Sequence, residues 1–202
     1  ETTLPSRIHQ IHGSGSNLFI ALEVGDVRIY DTSNPAEVLQ VGLVATSGPS
    51  VGFTLRDNWL FIADGRDGLR VADISEPGSP RVLGHVPTPD QVNRVELSGD
   101  LAAIYYVGRA DIYLFDVSEP RSPQYLGTHG TRSWFDIASF SGDLLATSTV
   151  GSAAVDIYRV RNDSVTWLGQ NDSLGSGVRD LDTRFPFLLA LTGGPNVSFE
   201  LI

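Results

Sequence analysis

Four groups of side chains in this sequence have the types and spacing for chemistry. His9 and His12 stand three apart. On a helix that spacing builds part of a metal site, whereas on a strand it sends the two imidazoles to opposite faces. Asp64-Gly65-Arg66-Asp67-Gly68 is loosely similar to an Asp-rich calcium loop, but it lacks the further oxygen ligands and bidentate Glu such a loop uses. A hairpin turn explains both Asp-Gly pairs more simply. Asp31, Asp73 and Asp116 each precede a Ser- and Pro-containing run, which suits a carboxylate capping the N–H groups of a turn better than one doing catalysis. The fourth group is a scatter of polar residues on short alternating stretches: Gln10, His12, Arg56, Arg94, Glu96, Asp136, Arg179, Asp180 and Asp182. Paired acids such as Glu96 and Asp136 have the chemistry for acid/base work. A polar, water-filled channel with Arg–carboxylate pairs is the simpler expectation. His85 and His129 each follow a Leu-Gly and read as structural or solvated, so no metal and no cofactor is expected.

Composition excludes whole classes of mechanism. The 202 residues contain no Cys and no Met, and all 14 basic residues are Arg, so Lys is absent too. There is no disulfide framework, thiol nucleophile or Cys-ligated zinc. No Schiff-base or phosphate-loop lysine is available, and no dinucleotide fingerprint occurs. With 24 Asp+Glu the net charge is -10 and no basic run exists, which argues against nucleic acid as a partner. Near-apolar stretches such as Phe185–Leu191 are far too short to span a membrane as a helix. Few oxidisable side chains and forked, permanently charged Arg suit an exposed, durable scaffold. The chain starts at Glu1 without an initiator Met, and we expect an exported, extracellular or cell-surface protein whose leader has been removed.

What must position these residues is a repeat. Asp31, Asp73 and Asp116, continued in register by Arg159 and Glu200, recur at steps of 42, 43, 43 and 41. The glycines of a second marker, Gly42, Gly84, Gly127 and Gly169, recur at 42, 43 and 42. Two independent markers with one period define a unit of about 42 residues. In the third unit Val92–Ser98, Leu101–Val107, Asp111–Val117 and Gln124–Thr128 read as four strands, separated by turn signals such as Gly99-Asp100. The apolar stretches Leu60–Ala63 and Leu69–Ala72 would face neighbouring units on both sides. Four short strands per unit, with no helical periodicity, predict an all-β, five-bladed β-propeller in a single domain over residues 1–202. Its blades would run about 6–46, 47–88, 89–130, 131–172, and 173–202 with 1–5.

The residues of the second and third units carry a family resemblance. Gly68-Leu69-Arg70-Val71, then Asp73-Ile74-Ser75, Pro77, Pro80 and Leu83-Gly84 resemble the LVIVD-repeat family. The resemblance is close over Leu60–Gly84 and Leu101–Gly127, fair over Leu18–Gly42, and weak after Ala153, where Arg159 replaces the anchor Asp. It implies a propeller-type fold and frequent export or surface attachment, and it implies no reaction. No Trp-Asp pair ends a third strand, which sets a WD-repeat aside.

The fifth unit supplies Val178–Thr183, Leu188–Thr192 and Asn196–Ile202, one strand fewer than the others. Glu1, Thr2, Thr3, Leu4 and Pro5 form a spare segment that would complete it, in the same chain or in a neighbouring subunit. Exchange between subunits would build homo-oligomers or filaments. Sequons begin at Asn162, Asn171 and Asn196, where about one is expected by chance, so glycosylation is a further expectation. Tyr105, Tyr106, Trp134, Phe135 and Trp167 would mostly pack between blades, with contact to a glycan or partner as the alternative. The reading is a non-catalytic propeller for protein interaction or assembly. Its rivals are a glycan-binding module and, behind it, a hydrolase using channel carboxylates.

Overall fold

The computed structural model describes residues 6–23, 25–48, 52–172, 174, 177–184, 187–193 and 198–201. Among them there are nineteen strands and no helix. The first sheet runs β1 (Ile8–Ser14), β2 (Asn17–Leu22), β3 (Val27–Asp31) and β4 (Leu39–Val44). The second runs β5 (Gly52–Arg56), β6 (Trp59–Ala63), β7 (Leu69–Asp73) and β8 (Arg81–Val86). The third comprises β9 (Arg94–Ser98), β10 (Leu101–Tyr105), β11 (Arg109–Asp116) and β12 (Gln124–Phe135). The fourth comprises β13 (Ile137–Ser141), β14 (Leu144–Ser148), β15 (Val155–Arg161) and β16 (Ser164–Asn171). The last has three strands among the described residues, β17 (Gly177–Arg184), β18 (Phe187–Gly193) and β19 (Ser198–Leu201). Every sheet is an antiparallel meander in chain order. The spare segment Glu1–Pro5 and Asn196 lie outside the described residues.

The chain divides into two compact units, Glu1–Val95 with Pro120–Ser122, and Glu96–Glu119 with Pro123–Ile202. In the first, Phe19, Ala21, Val27 and Ile29 of one sheet pack with Phe53, Leu60, Ile62, Ala72 and Ile74 of the next. In the second, Ala103, Tyr105, Ile112 and Leu114 pack with Phe140, Leu145, Tyr158 and Val160. A further cluster joins Ala146 and Val155 to Leu174, Val178, Leu181 and Ala190. The cores therefore lie between sheets, as continuous apolar runs on the second and third strands require.

Both sequence markers have a structural job. Asp31 Oδ1 accepts the Ser33 N–H at 2.8 Å, Asp73 Oδ1 accepts the Ser75 N–H at 3.0 Å, and Asp116 Oδ1 accepts the Ser118 N–H at 2.8 Å. These are the turn caps expected of the repeat. The Ser hydrogen bonds hold all three carboxyls below the usual Asp range. In the fourth unit Arg159 has taken the place of the acid and pairs with Asp143 at 3.2 Å instead. The glycine marker follows a β-bulge. Val41, Leu83, Leu126 and Leu168 are each skipped in the pairing of the fourth strand with the third, immediately before Gly42, Gly84, Gly127 and Gly169. Gly84 and Gly127 adopt φ 158 and 155 at this point, where a side chain is strained.

One departure from the expected strand pattern is informative. The fourth strand of the third sheet does not stop at Thr128 but continues to Phe135. There Arg109 pairs with Phe135 and Asp111 with Gly130, so Ala110 alone stands opposite Thr131, Arg132, Ser133 and Trp134. Those four residues form a large bulge.

Candidate functional site

In the first unit the first strands are laced by polar side chains. A bulge falls between Ile8 and Gln10 of β1. The Gln10 amide donates to the Phe53 carbonyl at 2.8 Å and accepts the Phe53 N–H at 3.0 Å, which clasps β1 to β5. Arg94 donates to His9 Nε2 and to the Asn93 carbonyl. Because a guanidinium has only donors, His9 must present an unprotonated Nε2. Burial, then the Arg94 charge, pushes the His9 pKa down, with Glu23 pulling the other way. His12 lies exposed on β1, and Arg56 stacks over the Phe61 ring at 5.2 Å.

The His9 contact makes a pH prediction. The unfolded chain takes up the proton near the ordinary 6.5, while the folded chain resists it. Stability should therefore fall as pH drops below about 6.5, and the effect should vanish above it. Chemical denaturation at pH 7.5 and 5.0 should show a smaller acid loss in His9→Gln than in the unmodified chain. An equal loss in both would remove His9 as the cause.

The second unit holds the remaining polar residues of the expected channel set. Glu96 is half-buried on β9. Asp136 Oδ2 accepts the Val150 N–H at 3.1 Å, so it braces the β14–β15 connection. Arg179, Asp180 and Asp182 are exposed on β17, and Asp180 Oδ1 accepts the Leu181 N–H at 3.0 Å. Among the described residues no group of three or more His, Asp or Glu side chains converges as metal ligands.

A different cluster in this unit was only half visible in sequence. Asp156 is buried and uses both oxygens: Oδ1 accepts Trp167 Nε1–H at 3.1 Å and Oδ2 accepts the Ser133 hydroxyl at 3.3 Å. Thus anchored, the Trp167 ring carries the Arg132 guanidinium over its face at 4.3 Å. The Tyr158 hydroxyl accepts the Arg132 N–H at 2.9 Å. Burial, the largest influence, raises the Tyr158 pKa. Trp134 in the bulge is 55% exposed and Val150 59%, and Thr149 Oγ1 ties the two segments by donating to the Trp134 carbonyl at 3.1 Å. Of the flagged aromatics, Tyr105 and Phe135 are buried with ring centroids 4.8 Å apart, and Tyr106 is half-buried. Trp134 and Trp167 remain accessible. Arg132 and Asp156 carried no sequence signal, because their partners are distant in the chain.

The family model for the LVIVD repeat matches residues 48–88. That segment is an LVIVD repeat. No curated protein matches the chain in sequence. Among solved structures it resembles the computationally designed Ika8 protein, with TM-score 0.70 and 12% identity over 98% of this chain and 59% of that one. It resembles the Neurospora crassa Pan2 WD40 domain at TM-score 0.68 and 14% identity, covering 98% of this chain and 60% of that one. It also resembles BamB from Moraxella catarrhalis at 0.66 and 13%, covering 90% and 53%. The chain thus spans between half and three fifths of each. These likenesses show a β-propeller fold.

Within the LVIVD repeat the Asp64–Gly68 segment is a turn. Asp67 N–H donates to the Asp64 carbonyl at 2.9 Å and Asp64 N–H to the Gly68 carbonyl at 2.8 Å. Asp64 is fully buried, its carboxylate held by the Arg70 guanidinium and, at 2.7 Å, by the Ser47 N–H. Asp67 receives Arg70 as well, at 3.1 Å, and the Ser47 hydroxyl. The two acids that suggested calcium thus share an internal cation. The repeat's anchor Asp73 also gathers Arg81 at 2.9 Å and Arg121 at 3.9 Å, and Arg121 lies over the Trp59 ring at 5.6 Å. Arg121 belongs to the Ser-x-Pro run of the following repeat, so successive repeats are tied through one carboxylate.

Proposed function

We propose that this chain is a non-catalytic, extracellular or cell-surface β-propeller whose five sheets are five blades. It serves in protein interaction or structural assembly. The observation that carries this reading is the last sheet. Four sheets have four strands, whereas β17–β19 leaves β19 as an edge among the described residues. Such an edge presents unpaired N–H and C=O groups and accepts a strand from elsewhere. Residues 1–5 are the proposed strand, supplied within one chain or, between subunits, as the link of a filament. The engaged polar side chains of the first strands and the net charge of -10 favour a scaffold over an enzyme or a nucleic-acid binder. Glycans on Asn162 and Asn171 belong to the same extracellular proposal. Asn162 is exposed at the β15–β16 turn with φ 46, and Asn171 ends β16.

Deleting Glu1–Pro5 tests the reading. The shortened chain should lose several degrees of Tm if the strand closes its own ring. It should lose its oligomers in size-exclusion chromatography and negative-stain microscopy if the strand is exchanged. A shortened chain unchanged in both respects would sink the proposal.

A further inference from the structure

The Thr131–Trp134 bulge is an unusual way to leave a sheet. Large bulges re-aim side chains and are enriched next to binding sites. Here the re-aimed side chains are an open indole, Trp134, and a guanidinium, Arg132, laid on Trp167. Trp167 is itself locked by buried Asp156. Among the described residues no hydrogen bond or ion pair uses the Arg132 guanidinium. Its in-plane donors are therefore oriented by stacking and available to a carboxylate, which they would meet in a two-pronged geometry. Trp134, two residues further along the bulge, and Val150, whose neighbour Thr149 bonds the Trp134 carbonyl, offer exposed apolar surface.

We propose that Trp134, Arg132 and the Trp167 edge form a binding site for an acidic sugar, a uronate unit of a glycan. The pyranose ring would lie on Trp134 and the carboxylate on Arg132. Two observations favour a sugar over an acidic peptide. Three of the bulge's backbone groups that an extended peptide could use are already engaged: Arg132 N–H with the Tyr158 hydroxyl, the Ser133 carbonyl with Thr131 Oγ1 at 2.9 Å, and the Trp134 carbonyl with Thr149 Oγ1. The patch is also a handful of side chains, whereas a stable protein interface needs about 800 Å² on each partner. A single oriented cation on a chain of net charge -10 suits one carboxylate rather than a dense polyanion. This inference goes beyond the assembly reading and does not depend on residues 1–5.

The test is calorimetric titration of the full chain with trigalacturonate, its methyl ester and hexaglutamate. Trigalacturonate should bind, the ester at least tenfold more weakly, and hexaglutamate not measurably. Arg132→Gln and Trp134→Ala should each weaken trigalacturonate at least tenfold, with the fold checked by circular dichroism. The ester comparison uses the unmodified chain, so it decides even if a variant folds poorly. No binding of trigalacturonate at millimolar concentration, equal binding of the ester, or binding of hexaglutamate would each overturn the proposal. So would two folded variants that bind as the unmodified chain does.

Discussion

Asp64→Ala should destabilise the protein by about 3 kcal/mol or more in urea titration, the cost of removing one partner of a buried ion pair. The reason is geometric. Asp64 is fully buried, and the Arg70 side chain that holds it is only 15% exposed. Removing the carboxylate leaves the Ser47 N–H and part of the Arg70 guanidinium without acceptors. Because the two partners share the loss, Asp64→Ala combined with Arg70→Met should cost clearly less than the sum of the single changes. Millimolar calcium should leave Tm unchanged, since the carboxylates are committed to Arg70. A Tm rise of several degrees with calcium, or a cost below about 1 kcal/mol for Asp64→Ala, would restore the calcium reading of this loop.

Gly42→Ala should cost about 2–3 kcal/mol, or roughly 5–10 °C in Tm, while Gly169→Ala should be neutral within about 0.5 kcal/mol. The two glycines occupy one position of the repeat, and neither has a positive φ that would strain a side chain. Only space separates them. A Cβ on Gly42 would sit 2.1 Å from the Pro77 carbonyl oxygen, a backbone atom of the next repeat's turn, and 3.3 Å from Ile29 Cδ1. A Cβ on Gly169 would meet nothing within 4 Å. Similar Tm values for the two variants would show that the repeats do not approach each other at Gly42 as closely as described.

These two positions also show what sequence can and cannot carry. Period and strand type were legible because burial between sheets forces apolar runs such as Leu60–Ala63 at a fixed spacing. The Asp-x-Ser caps were legible because the capping contact spans two residues. The identical glycines of the repeat hide different surroundings, because whether Pro77 approaches Gly42 is decided by packing. Gln10 and Arg94 were expected to line a channel, and the structure places them in contact with Phe53 and His9. Those contacts reach across 43 and 85 residues, beyond any local pattern. The Arg132–Trp167–Asp156 cluster was hidden for the same reason, and the bulge that presents it continues a strand expected to end at Thr128.

The central claim, a propeller whose last blade is completed by residues 1–5, can be tested in a chain that has no cysteine of its own. Thr3→Cys and Glu200→Cys, introduced together, should form a disulfide under mild oxidation, as a cross-link within one chain for cis closure or as a covalent ladder of chains for exchange. The single variants should give no ladder. Free thiols in the folded double variant would contradict the account, because residues 1–5 would then lie away from β19.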